Sequence, residues 1–500
     1  MRILSAALLL AVLVSPAWGD DLSRQVQDYR AAHEAAIVGQ LDALVRLRSV
    51  AADPAGLAAT AARLESLLKA RGFATSLMSA QGSPPAVFGS YKSPGAKRTV
   101  VFYAHYDGQP VTQAQWSSDA FSPVMREGAR DIDWKNAKPP FDPEWRFFGR
   151  ATADDKNSIT AFLAGFDALK AIGRKPSVNI KVFWEGEEER SSAHLAEILR
   201  THKEELRADL WLIGDAPVHQ SRAPSLYFGA RGNLWLEATV YGPLRALHDG
   251  HYGNWVPNPG MMAAELITQM RDSEGRILIP GFADDVRPLT ADEQAAIARL
   301  PPVENDLRRE FGIGRSEGNE GLTASTMRPA LNIRGLRSGQ VGAEAAGAIP
   351  VDATVAMGFR LVPGQTPLGV RAKVEAFLKT KGWTVVADAP DTAARLAHPR
   401  IVRLDWRDAY PALRSDMTSP AARGVIAAAN AAAGKPVTIL PMMGASVPLY
   451  LFDDIMKVPV IGLPISNHDN NQHAANENLR LRNLWDGIGV YAAMMAELRW

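Results

Sequence analysis

Four carboxylates, Glu185, Glu187, Glu188 and Glu189, crowd five consecutive positions directly behind the apolar, strand-like run 178–184. Only Asn179 and Lys181 interrupt that run. Carboxylates packed this closely repel and raise one another's pKa, which costs stability. A shared divalent cation is the most effective offset, and a solvated acidic loop is the plainer alternative. A fold that accommodates this stretch must therefore end a strand in a place built for, or at least tolerant of, dense negative charge.

The same pattern recurs along the chain. Residues 99–104 form a short continuous apolar run, typical of a strand buried on both faces, and end at His105 and Asp107. Two residues apart at a strand end, these side chains point the same way, so Asp107 can hold the His105 imidazole in one tautomer. Alone, His-x-Asp serves structure as readily as metal binding. Residues 208–213 are another buried run and deliver Gly214 and Asp215 at the carboxyl end, where open α/β sheets place their sites. Asp154 and Asp155 precede a predicted helix over 157–172 with Ile159, Phe162, Leu163, Phe166 and Leu169 on one face. That pair reads either as a helix N-cap or as a carboxylate shared between two metals. A strand over 458–464 runs into a polar loop carrying His468 and His473. With further helices expected over 21–50, 54–72, 191–206, 419–433 and at the C-terminus, the fold class is α/β, with a central sheet flanked by helices.

A chain of 500 residues exceeds one ordinary core. The pattern changes at about 229: residues 233–241 alternate as a half-solvated strand, 349–362 give another strand, and 367–381 a helix. Residues 282–330, rich in charge, Gly and Pro, are expected to form a surface segment. The block 229–412 thus reads as an inserted α+β domain that divides an α/β domain into 20–228 and 413–500. Residues 1–19 read as a secretory signal: Arg2, an apolar run over 4–14, and a small-x-small site at Ala17-Trp18-Gly19. The run is too short to span a membrane, so the expectation is an exported, periplasmic or secreted protein with no membrane contact once the signal is removed. The chain has no cysteine, so neither disulfides nor thiolate ligands are available. With 55 basic and 54 acidic residues, charge suggests neither nucleic acid nor an anionic membrane as partner.

Five candidate ligands, His105, Asp154, Glu189, Asp215 and His473, lie at strand ends or in adjoining loops. Two imidazoles and three carboxylates, one of them bridging, satisfy two tetrahedral zinc ions. Glu188, beside Glu189 but directed elsewhere, is placed to move protons.

The ordered set resembles the dinuclear-zinc metallopeptidases of the M20 clan, nearer their carnosinase-like dipeptidase branch. Ala104-His105-Tyr106-Asp107 matches the first ligand motif, and Gly149-Arg150-Ala151-Thr152-Ala153-Asp154-Asp155-Lys156 the aspartate-pair signature. Glu185-Gly186-Glu187-Glu188-Glu189 matches the catalytic-glutamate motif, Gly214-Asp215 the fourth ligand, and His473-Ala474-Ala475-Asn476-Glu477 the last. The resemblance implies a zinc-peptidase-like domain interrupted by a lid that dimerises. It implies two zinc ions per subunit, with Mn2+ or Co2+ as possible substitutes. Asp154 would bridge, His105 and Asp215 would hold one ion, and Glu189 and His473 the other. Glu188 would be the general base, Asp107 its catalytic neighbour, and the Asp154–Asp155 peptide cis. His248 would reach the partner subunit's site and stabilise the oxyanion. Asn332 and Arg360 would bind the substrate's carbonyl and free carboxylate, and Gly444 and Ser446 belong to a loop that touches substrate. Small peptides or N-acyl-amino acids are the implied substrates.

Some positions depart from the family pattern. Ala151 and Asn157 stand where glycines are usual, Arg190-Ser191-Ser192 where a Gly-Ser is, and Asp249 where serine is common after the histidine. None removes a ligand. His468 and His251 are expected to be non-ligands, and His33, His194, His202, His219 and His398 surface residues. Two other readings stand beside this one. A catalytically silent zinc- or peptide-binding protein on the same scaffold would be favoured by loss of Glu188 or a ligand, but all are present. An aminopeptidase without a lid is disfavoured by the long insertion after Asp215.

Overall fold

The computed structural model describes residues 17–500. The signal expected over 1–19 lies, up to residue 16, outside the described residues. Among the described residues no helix is long and apolar enough to cross a membrane.

An eight-stranded mixed sheet organises the larger part of the chain. In spatial order its strands are Ala74–Met78, Ala86–Tyr91, Asn179–Glu185, Thr99–His105, Leu210–Ile213, Val460–Gly462, Ser225–Tyr227 and Thr438–Leu440. Thr99–His105 runs parallel to both Asn179–Glu185 and Leu210–Ile213, and Val460–Gly462 runs parallel to Leu210–Ile213. Their carboxyl ends therefore share one edge. His105 is level with Glu185, and Tyr103 with Ile213, two residues ahead of Asp215.

The apolar runs are continuous because both faces of the sheet are covered. Val100, Phe102 and Ala104 join one core with Phe162, Trp184 and Tyr491, built against the helices Ala17–Val45, Lys156–Ala171, Pro420–Ala433 and Leu481–Ala496. Val101 and Tyr103 join the opposite core with Phe183, Trp211 and Phe452. Each large apolar side chain so buried contributes about 2 kcal/mol, which makes these strands the rigid platform of the site.

The block 229–412 carries a five-stranded sheet of its own, in the order Ala330–Arg337, Asp352–Leu361, Gly232–Tyr241, Ile401–Tyr410 and Thr384–Val386. Helices Pro259–Met270 and Pro367–Thr380 cover one face, where Met262, Leu266, Val370 and Val374 pack on Leu234, Leu236, Met357 and Phe359. The register puts Asn233, Trp235, Asn332, Gly358 and Arg360 on the other face. Where the chain enters and leaves this block, Gly229–Ala230 pairs with Leu413–Arg414, so both connections lie side by side.

Two expectations need correction. The helix expected over 191–206 is only Leu195–Thr201. Ser191 and Ser192 hold left-handed φ values of 63° and 48°, from which an α-helix cannot start. Residues 282–330 are not merely surface. They contain helices Ala291–Ala298, Glu304–Phe311 and Leu322–Thr326, and the first opens on a capping box between Thr290 and Glu293. Glu293 is buried and pairs with Arg414 at 2.8 Å.

Candidate metal centre

His105 ends its strand fully buried. Its Nε2 is 3.1 Å from Asp154 Oδ1, and its Nδ1 is 3.1 Å from the Asp107 carbonyl and 3.3 Å from Asp107 Oδ1. The Asp107 carboxylate also accepts the backbone N–H of Glu188 at 3.2 Å and of Glu189 at 3.0 Å. One side chain thus fixes both the imidazole and the acidic turn. Across the site, His473 Nε2 is 3.2 Å from Asp154 Oδ2 and 3.3 Å from Glu189 Oε2. The result is two groups, His105–Asp154–Asp215 and Asp154–Glu189–His473, whose ligand atoms lie within 4.8 Å of one another in each; Asp154 belongs to both.

Local sequence explains these positions. Gly186 crosses the Tyr106 ring so closely that a Cβ would lie 2.3 Å from its hydroxyl, which leaves glycine as the residue that fits between Glu185 and Glu187. A Cβ at Gly214 would meet Tyr491 Oη at 2.5 Å, and this close approach carries the chain to Asp215. The loop before Asp154 is held by Glu477, whose part no local sequence pattern announces. Its buried carboxylate accepts N–H groups from Ala151 (3.0 Å), Ala153 (2.9 Å) and Asp154 (3.1 Å), and from Arg150 Nη1 (2.8 Å). Ala151 sits at φ 64°, a conformation that suits the glycine usual there. The Asp154–Asp155 peptide is cis. The Asp155 side chain makes no N-cap hydrogen bond to helix Lys156–Ala171, so the capping alternative for this pair is not realised.

Electrostatics follow from burying so many acids together. Burial, then Asp154, pushes Glu189 up to about 11. The same two causes push Asp215 up to about 7. Burial also raises Glu188 well above the ordinary carboxylate range. Asp154 goes the other way: burial opposes its charge, but the hydrogen bonds of His105 and His473 hold it below that range. At His105 burial disfavours the charged ring, yet Asp107 and Asp154 outweigh it and raise its pKa. Acids and imidazoles at these separations balance best around shared cations. Glu189 Oε1 is buried without a hydrogen-bond partner. Two imidazoles, three carboxylates and no thiolate form a donor set that fits divalent zinc, and less selectively manganese or cobalt.

Glu188 opens the short helical turn Glu188–Arg190 beside Glu189 and is half-buried. Glu187, given no separate role by the sequence, accepts from His194 Nδ1 at 2.8 Å and so ties the turn to the next segment. His194 is therefore partly buried. His219, expected at the surface, is buried, with its Nδ1 2.9 Å from Ser221 Oγ. The segment after Asp215 folds back on strand Ser225–Tyr227, which the scattered polar residues there conceal.

The remaining candidates stand apart from the two ligand groups. His248 has a 64% exposed side chain; its Nδ1 accepts the Gly250 N–H at 3.1 Å and its ring lies against His251. Arg360 and Ser446 do come together, with Arg360 Nη1 donating to Ser446 Oγ at 2.5 Å. Gly444 packs beside Thr326, whose Cγ2 is 3.2 Å from where a Cβ would stand. Asn332 is exposed and lies opposite Gly358, on the same face of its sheet as Arg360.

Comparison with known proteins agrees with this geometry. The model of Peptidase family M20/M25/M40 matches residues 101–497. A Cys-Gly metallodipeptidase of Schizosaccharomyces pombe is 27% identical over 426 residues, covering 83% of each chain. A Beta-Ala-His dipeptidase of Homo sapiens is 26% identical over 430 residues, covering 83% of this chain and 78% of that one. Among solved structures, the fold is shared with human carnosine dipeptidase 1 (TM-score 0.76, 21% identity, 95% of this chain and 98% of that chain). It is also shared with an M20 family metallo-carboxypeptidase from Sulfolobus solfataricus (TM-score 0.75, 23% identity, 92% and 99%).

Proposed function

The chain belongs to peptidase family M20/M25/M40 and is a metallopeptidase, and from that premise we propose that it is an exported dizinc dipeptidase. Its substrates on this reading are dipeptides, or N-acyl-amino acids, cleaved at the amide next to a free carboxylate. The observation that carries the proposal is the pair of ligand groups sharing Asp154. His105, Asp154 and Asp215 would hold one ion, and Asp154, Glu189 and His473 the other. Bound there, two divalent cations supply Lewis acidity, which lowers the pKa of water and polarises a carbonyl.

The chain's own residues do the rest. Glu188 takes the proton of the attacking water and gives it to the leaving amine. Burial raises its pKa above the ordinary carboxylate range, the direction that makes it a stronger base. Asp107 orients His105 and the Glu188–Glu189 turn at once. Arg360 and Ser446 would receive the substrate's free carboxylate, with the planar guanidinium matched to two oxygens. Gly444 leaves room beside them, and Asn332 would meet the scissile carbonyl.

His248 enters through a second copy of the chain. Its own copy leaves it exposed, and Leu336 on the edge strand Ala330–Arg337 and Met261 on helix Pro259–Met270 are exposed as well. A homodimer joined through the inserted domain would cover those side chains and bring His248 to the partner's site. Export rests on residues 1–19.

The test is hydrolysis of a dipeptide and acyl-amino-acid panel by the zinc-loaded protein, with and without EDTA. Activity that EDTA abolishes and zinc restores is expected; no hydrolysis of any member at full zinc loading would reject the proposal. The Glu188→Ala variant separates an enzyme from a silent binder, since it should keep its metal and lose turnover.

A further inference from the structure

Arg231 is a buried guanidinium that the chemistry above does not use. The residue is 6% exposed; its Nη2 donates to the Arg328 carbonyl at 3.2 Å, and its Nε is buried with no hydrogen-bond partner. Its backbone N–H donates to the Ala445 carbonyl at 3.1 Å. The next residue, Ser446, receives Arg360 Nη1 and donates from Oγ to the Gly232 carbonyl at 3.3 Å. The Arg231 backbone and the Arg360 side chain thus meet one loop, 444–446, and the Arg231 guanidinium lies close enough to Arg360 to feel its charge.

No ion pair to a carboxylate is formed by either guanidinium among the described residues: Arg231 Nη2 reaches a carbonyl, Arg360 Nη1 a hydroxyl, and Tyr410 also lies near Arg360. Their field is reinforced by Arg334, which stacks 3.7 Å from the centroid of Trp235 on the same sheet face as Arg360. Burial lowers the Arg231 pKa to about 10, and Arg360 pushes in the same direction. A buried cation without a counter-charge is expensive, and such groups persist where an anion arrives to pair with them. The α-carboxylate of a substrate supplies one negative charge for two neighbouring guanidiniums, Arg231 buried and Arg360 half-buried.

We propose that Arg231, together with Arg360, binds a second carboxylate on the residue bearing the free C-terminus. Dipeptides ending in glutamate or aspartate are then preferred over their neutral isosteres ending in glutamine or asparagine. This rests on the dipeptidase reading for its turnover but not for its binding.

The experiment compares Ala-Glu with Ala-Gln on the full zinc-loaded chain, in wild type, Arg231→Met and Arg231→Lys. Alongside, calorimetry measures binding of free glutamate and free glutamine, which needs no turnover. The expected result is a wild-type preference for the glutamate forms of about tenfold or more, the range of a charge-assisted hydrogen bond. Arg231→Met should remove it while leaving Ala-Gln hydrolysis and zinc content near wild type, and Arg231→Lys should restore part of it. Equal wild-type handling of Glu and Gln, or an equal loss on both in Arg231→Met, overturns the proposal. Should Arg231→Met fail to fold, the wild-type comparison and Arg231→Lys still decide. If no dipeptide is cleaved yet glutamate binding depends on Arg231, the dipeptidase reading fails and this one stands.

Discussion

Replacing Glu477 with glutamine tests whether the loop that carries Asp154 is held by a buried carboxylate lying outside both ligand groups. Glu477 is 0% exposed and accepts two N–H groups on each oxygen: Ala153 and Asp154 on Oε1, Arg150 and Ala151 on Oε2. Glutamine keeps the shape but turns one oxygen into an amide NH2, which then faces two donors. Either the Asp154 loop or the Arg150 guanidinium loses its acceptors. Arg150 is itself buried and paired with Glu477 at 2.8 Å, so its charge would be left without compensation. Breaking a buried ion pair from one side costs about 3–5 kcal/mol. Because the loop carries Asp154, metal affinity should fall as well, by about ten- to a hundredfold, the usual effect of losing a group that orients a ligand. Urea unfolding of the zinc-free chain reads the first quantity, and competition with a zinc chelator reads the second. A Glu477→Gln chain within about 0.5 kcal/mol of wild type, with unchanged zinc affinity, would refute the reasoning.

Three further outcomes are expected. Glu188→Gln should retain its zinc while kcat falls by about 10²–10⁴-fold; retained turnover would remove Glu188 from its role as base. Asp215 and Glu185 stand at about 7 in the fold, against ordinary values of 3.8 and 4.5. The folded state thus binds their protons more tightly than the unfolded one, so stability present below pH 4 is lost as pH climbs through about 7. The thermal midpoint of zinc-free protein should fall across that window and zinc should recover it; a flat or rising midpoint without zinc would contradict the assignment. Met261→Asp combined with Leu336→Arg, both at exposed positions, should halve the mass seen by sedimentation and abolish activity by removing His248 from the partner's site. An unchanged mass would rule out this surface as the dimer contact.

Much of the catalytic sheet is legible in the sequence because strands buried on both faces keep continuous apolar runs, as in Val100 to Ala104. Ligands placed directly after such runs, His105 and Asp215, are legible for the same reason. The convergence of Asp154 and His473 on them follows from the motif order rather than from any local pattern, and the structure brings all of them within reach of two shared points. What stays hidden is contact across long separations. Glu477 meets Ala153, 324 positions away, and no spacing announces that it will be buried under that loop. Arg231 is equally silent, since an arginine in a Gly-Ala-Arg-Gly turn reads as solvated until the fold buries it. The helix expected over 191–206 is shorter in the fold because helical spacing says nothing of the left-handed serines at its start.

The most direct test of the whole account is the number of zinc ions held per chain, counted by mass spectrometry after loading and dialysis. Two ions in wild type, one in His105→Ala and none in Asp154→Ala are the values that follow from two ligand groups sharing one carboxylate. One ion in wild type, or two retained in Asp154→Ala, would contradict it.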